Sequence, residues 1–148
     1  MASPKPLPGS ANLRAAVRRT LVRESGANAD AGAVAAALVR VHDTFARHLA
    51  LLIGDGGVRA LSARSLHLVQ RDFPWLAEVP VSGSAEELYT RLGSSLEAQE
   101  PAVAAEAAVA ALATLGGLLE TLIGEALTLR VLRDAWPTTF AEGIQQEA

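Results

Sequence analysis

Between Pro101 and Trp136 apolar positions recur with helical spacing almost without interruption. At about 100° per residue, Leu112, Leu115, Leu119, Leu122, Ala126 and Leu129 fall on one side. Ala107, Ala110, Thr114, Gly117, Thr121, Gly124 and Thr128 fall on the other. A helix that is apolar around most of its circumference has to be covered on more than one flank. The large face predicts the core of a bundle. The small face predicts a second helix or a second chain at close range, because Gly and Ala put little bulk between the axes. Gly116, Gly117 and Gly124 each cost about 1 kcal/mol relative to Ala in a helix interior. Either tight packing offsets that cost, or Gly116-Gly117 breaks the segment in two. The uncharged run between Glu106 and Glu120 is thirteen residues, short of the roughly 20 that a bilayer requires, so no membrane span is expected.

Upstream, the same periodicity predicts four more helices. Ser10 or Asn12 caps the first, which carries Leu13, Val17 and Leu21 and ends at Gly26. Asp30 caps the second, whose stripe of Val34, Leu38, Val41, Phe45, Leu49 and Leu52 runs to about Ile53. Gly54-Asp55-Gly56-Gly57 then predicts a turn. A third helix spans about Val58 to Phe73 and stops at Pro74. Ser84 and Glu87 stand in capping-box register ahead of a fourth, about Ala85 to Gln99, with Leu88, Leu92 and Leu96 inward. Pro101 suits the first position of the long segment. Residues 1–9, with three prolines, predict a disordered lead-in; residues 10–137 a single domain; residues 138–148 a short helix or frayed tail. Leu52-Ile53-Gly54-Asp55 is echoed by Leu122-Ile123-Gly124-Glu125, a match that a duplicated helical hairpin would produce but that chance in a low-diversity, Ala/Leu-rich chain produces more readily.

Composition agrees with an all-α compact bundle of about five helices around a long, largely buried helix near the C-terminus. Half of the 148 residues are hydrophobic and 4% are aromatic, so the core is Leu, Val and Ala, and no stretch alternates with period two. The absence of cysteine excludes disulfides and thiolate chemistry and removes the commonest structural zinc ligand. The opening MASPKPLPGS lacks the apolar run of a secretory signal, so the cytoplasm is the expected location. Net charge is −3, divided as +5 over residues 1–75 and −8 over 76–148. Such halves attract each other within one fold or between copies. An acidic chain of this kind is not expected to bind nucleic acid, despite Arg14, Arg18, Arg19 and Arg23 on the first helix.

Candidate chemistry is sparse. His67 projects away from the apolar side of its helix. His42 and His48 border the stripe of theirs more than roughly 100° apart, so they cannot hold one metal together from that helix. Glu125, beside the small face, would need Arg59 or Arg130 as partner if buried. His42-Asp43-Thr44-Phe45-Ala46-Arg47-His48-Leu49 resembles the phosphoacceptor box of one class of two-component histidine kinases. That resemblance implies a phosphoacceptor role for His42, with Asp43 orienting or deprotonating it, inside a dimeric bundle.

No metal, cofactor or catalytic set is expected. The leading expectation is a non-enzymatic helical interaction or regulatory module. It would be a homodimer or bind another protein, with Ala110, Thr114, Gly117, Thr121, Gly124 and Thr128 as packing or interface residues. A bundle binding an apolar small molecule is the first alternative, roofed by Phe73, Trp75 or Trp136 and edged by His48 or Glu125. A phosphotransfer module using His42 is the second.

Overall fold

A computed structural model of the chain describes residues 10–137 and Thr139. The expected lead-in over 1–9 and, apart from Thr139, the tail over 138–148 lie outside them. All regular structure among the described residues is helical: α1 (Ala11–Ser25), α2 (Ala31–Asp72), a 3₁₀ turn (Pro74–Leu76), α3 (Ala85–Leu96), α4 (Pro101–Ile123) and α5 (Glu125–Ala135). The starts follow from the caps. Ser10 Oγ accepts from the Leu13 amide at 3.1 Å, and Asp30 Oδ1 from the Ala33 amide at 2.8 Å. Ser84 and Glu87 bond reciprocally, and Pro101 occupies the first turn of α4.

Two corners depart from the sequence-based expectation. The turn predicted over Gly54–Gly57 shrinks to one residue: Gly54 leaves helical geometry at φ 75°, ψ 168°, and Asp55, Gly56 and Gly57 are already helical. We treat α2 as a first arm (31–53) and a second arm (55–72). The long C-terminal segment is likewise not one rod. It passes straight through Gly116-Gly117, both buried, and turns at Gly124, φ 90°, ψ 162°. Only glycine populates this region without strain. Gly124 ends one helix and begins the next: its N–H donates to Glu120 O at 2.8 Å and its carbonyl accepts from Thr128 Oγ1 at 2.8 Å.

Contacts fix the directions. Leu13 lies against Gly116, while Arg18 reaches Glu106 at 2.9 Å, so α1 runs antiparallel to α4. Arg40 pairs with Glu24 at 3.3 Å across the short α1–α2 connection, so α1 also runs antiparallel to the first arm of α2. That arm is therefore parallel to α4, and Gly54 and Gly124 sit at the same end of the bundle. Past each glycine the chain folds back. His42, twelve residues before Gly54, meets Ser62, eight after it; Leu112 and Leu132, at the same spacing about Gly124, line one void.

The correspondence extends further. With a constant shift of 70 residues, Ala35, Ala37, Val39, Thr44, Leu49, Leu52, Ile53 and Gly54 recur as Ala105, Ala107, Val109, Thr114, Leu119, Leu122, Ile123 and Gly124. Helix α4 matches the first arm of α2 in length. Buried positions correspond too: Leu38 with Ala108, Val41 with Ala111, Phe45 with Leu115, Leu49 with Leu119 and Val58 with Thr128. The long helix, the glycine corner and the returning helix thus occur twice along the chain.

Helix α4 is long and apolar enough to cross a bilayer, yet most of it is buried inside the bundle. Ala107, Ala110, Thr114 and Gly117 of its small face are buried, and on the opposite face Gly116 admits α1. An added Cβ at Gly116 would lie 3.0 Å from Leu13 Cδ2, so α1 comes closest there. Gly93 plays the same part between α3 and α2, with Val39 Cγ2 at 3.3 Å from a built Cβ. Leu52, Leu122 and Ala126, expected in buried stripes, are exposed, because both stripes end where the corners turn away.

Paired substitutions test the corners. Neither Gly54 nor Gly56 has an atom within 4 Å of an added methyl group, so backbone conformation alone decides the outcome. Gly54→Ala is expected to lower the unfolding free energy by about 1–3 kcal/mol. Gly56→Ala, in helix, is expected to raise it by about 0.5–1 kcal/mol. Urea unfolding of the two variants reads both signs.

Candidate functional site

Polar groups inside the bundle collect around the first corner. His42 is 1% exposed, at a position where the second unit carries Leu112. Its ring stacks on Tyr89 of α3, centroids 3.8 Å apart and 10° from parallel. Its Nε2 lies 3.0 Å from Ser62 Oγ on the second arm of α2, at the position equivalent to Leu132. A second chain of bonds lies beside it. Ser65 Oγ donates to Ser62 O at 2.8 Å, which commits its single hydrogen, so the Tyr89 hydroxyl donates to Ser65 Oγ at 2.8 Å. Ala111 O, 3.4 Å from the Tyr89 oxygen, is a longer and competing acceptor for the same proton and brings α4 against α3. A buried His–Ser pair and its Tyr–Ser neighbours thus replace the aliphatic contact of the other repeat.

Burial sets the titration. Removal from water lowers the His42 pKa from its ordinary 6.5 to about 4, so the ring is neutral near pH 7. Burial of Tyr89 raises its phenol, partly opposed by the bond to Ser65. Asp43 Oδ1 stands 3.5 Å from His42 Nδ1, too long for a hydrogen bond, and Nδ1 has no other partner. The neighbouring carboxylate favours the proton on Nδ1, which leaves Nε2 to accept from Ser62. Burial raises the Asp43 pKa and Arg47 opposes it.

Asp43, His42 and Ser62 thus lie side by side, a set that spacing along the chain does not disclose, but without the Asp–His hydrogen bond of an acyl-transfer triad. Ser62 is fully buried and does not line the adjacent groove. A nucleophile sealed from substrate does no chemistry. The same burial bears on the phosphoacceptor resemblance, because His42 Nε2 points at Ser62 in the core, whereas phosphoryl transfer needs a ring nitrogen open to a donor.

The groove beside His42 has a volume of about 630 Å³ and lies between the two arms of α2 and the start of α3. Asp43, Asp55, Glu86, Arg47 and Arg59 all line it. Arg59 is held there by a 2.8 Å bond from Nε to Gly83 O. With three carboxylates against two guanidinium groups, the groove favours neither an anion nor nucleic acid. Among the described residues no three His, Asp or Glu side chains converge to hold a metal ion.

The remaining sequence-derived candidates are scattered. His48 is half-buried, with Nδ1 2.9 Å from Thr44 O on its own helix. Glu125 is exposed at the Gly124 corner and pairs with neither Arg59 nor Arg130. Ala110, Thr114, Gly117 and Thr128 are buried within the chain, while Thr121 and Gly124 are exposed. A mostly apolar void beside Trp136, Phe45 and Leu112 measures about 20 Å³. That is room for about one water, against the 300–1,000 Å³ typical of a ligand pocket. Phe73 and Trp75 do not line it; they pack edge-on against each other, centroids 6.0 Å apart.

Compared with known protein families, curated proteins and solved structures, the chain matches none.

Three outcomes are expected of this cluster. His42→Leu alone strands the Ser62 hydroxyl and is expected to cost about 1–3 kcal/mol. Adding Ser62→Ala recovers most of that loss, because both partners are then apolar as in the second repeat; urea unfolding of single and double variants measures the coupling. Stability should also depend on pH through His42. In the unfolded chain the imidazole takes up its proton near pH 6.5, in the folded chain near 4. Its contribution is therefore complete above about 6.5 and is lost as pH falls toward 4, by about 3 kcal/mol at the full extent. Asp43 and Glu120, raised by burial, act in the opposite sense, so the difference between wild type and His42→Gln isolates the ring. Acetyl phosphate is expected to leave His42 unlabelled in the folded chain, read by acid-labile phosphate and mass.

Proposed function

We propose that the chain is a non-enzymatic helical interaction module, and that its contact surface is the end of the bundle where the two glycine corners meet. The observation that carries this reading is the distribution of exposed leucine. Leu51 is 86% exposed and Leu52 54% beside Gly54; Leu122 is 59% and Leu127 47% exposed beside Gly124. Ile53 and Ile123, half-buried, complete the surface. Clustered apolar side chains at one end of a body that buries most of its other large apolar groups mark a docking surface more than a folding one. The small-residue stripe of α4 is taken up in internal packing, which leaves this end as the apolar surface available to a partner. Burial of His42, sealing of Ser62 and the small volume of the apolar void beside Trp136 weigh against the enzymatic, phosphotransfer and apolar-ligand readings.

Leu51→Asp combined with Leu122→Asp tests it. Side chains that serve a partner and not the fold can be replaced with little effect on the isolated chain, so unfolding free energy should stay within about 0.5 kcal/mol of wild type. Native-state binding of an apolar dye should fall at the same time. A loss of several kcal/mol would make these leucines part of the core and overturn the proposal.

A further inference from the structure

We infer that the groove beside His42 binds a small zwitterion, a molecule with a free ammonium and a free carboxylate. The ammonium sits at Asp43, and the carboxylate at Arg59 and the start of α3. The inference goes beyond the contact surface proposed above and draws on none of its leucines.

Both signs of charge are presented in one cleft and left open. Among the described residues, no guanidinium of the groove forms an ion pair with a carboxylate of it. Arg59 is turned toward α3 by its 2.8 Å bond from Nε to Gly83 O, and its terminal nitrogens make no other hydrogen bond. Beside it, the capping box takes up the amides of Ser84 and Glu87. The amides of Ala85 and Glu86, first in the helix, stay unbonded, and both residues line the groove. A guanidinium next to free N–H groups at the positive end of a helix suits a carboxylate. The opposite charge is served by half-buried Asp43. Behind it stands His42, 1% exposed and part of the groove wall. Its Nε2 is committed to Ser62, while Nδ1 faces Asp43 Oδ1 at 3.5 Å with no hydrogen-bond partner. A buried donor left unanswered is costly. An ammonium on the open side of Asp43 steadies the carboxylate against that N–H, so His42 positions Asp43 and does not itself touch the ligand. Neither a simple anion nor a simple cation satisfies both walls, and about 630 Å³ is ample for a molecule carrying the two charges. The scaffold does not call for these groups. Seventy residues on, the second corner has Leu112, Ala113 and Leu129 where the first has His42, Asp43 and Arg59.

Calorimetric titration of the full chain with the common free amino acids and with ω-amino acids graded in length, from glycine to ε-aminocaproate, tests the site. At least one member is expected to bind with a Kd below about 1 mM. Its N-acetyl and methyl ester forms, each lacking one charge, are expected to bind at least about tenfold more weakly. Asp43→Asn should weaken the zwitterion by a similar factor and leave the N-acetyl form unaffected; Arg59→Gln should weaken it and leave the ester unaffected. The part played by His42 is read from its ring: the Nδ1 nitrogen resonance is expected to shift on binding in the wild type and to stay put in Asp43→Asn. A resonance unmoved in the bound wild type overturns the positioning role. Equal binding of the N-acetyl form makes the groove a plain anion site and overturns the zwitterion. Absence of binding by every probe at tens of millimolar overturns the site itself. None of these results bears on the corner leucines, which the Leu51→Asp and Leu122→Asp variant judges separately.

Discussion

The architecture depends on two peptide units that L-side chains cannot hold. At Gly54 and Gly124 the backbone enters a region with positive φ and ψ near 165°, which glycine occupies without strain. A single residue in that conformation lets one helix end and another begin without a loop, so the returning helix lies back along its predecessor. Everything inside follows: Ser62 reaches His42, Leu132 shares a void with Leu112, and Trp136 comes to 6.2 Å of Phe45. A looser turn would let the returning helices swing, and these pairs would not be forced together.

The same constraint explains why two similar units produce different interiors. Positions twelve residues before and eight after the corner meet in both. In the second unit they are Leu112 and Leu132, and nothing polar is at stake. In the first they are His42 and Ser62, whose hydrogen bond needs good geometry to offset the loss of water. Tyr89 covers the ring, and Ser65 satisfies Tyr89. A polar pair is not required by the scaffold, since the repeat beside it does without one. Its presence only in the unit with an open, charged groove sets that half apart.

Much of this was legible in the sequence, and the misses have physical causes. Caps, prolines and the 3.6-residue period located the helices because each is a local signal: Ser10, Asp30, Ser84 with Glu87, and Pro101 all begin helices. Which glycine turns the chain was not local. Gly116-Gly117 reads as the stronger breaker, yet Leu13 packs onto it and the helix continues; Gly124 stands alone and breaks. The echo of Leu-Ile-Gly-Asp in Leu-Ile-Gly-Glu held the needed information, for two glycines in equivalent settings take equivalent conformations. His42 could not be placed from its own helix, because the groups that bury it, Tyr89 and the second arm of α2, arrive through tertiary packing.

The exposed leucines follow from how a corner ends a stripe. Along the first arm of α2 and along α4, apolar residues recur on the face that meets the other helix, and the period carries on to Leu52 and Leu122. At that point the backbone reverses and the neighbour each leucine would have met is gone. A monomer with no use for that end would be expected to carry polar residues there, as the other faces of these helices do. Instead the side chains remain apolar at both corners, and Leu51 adds a third that the helical stripe does not call for.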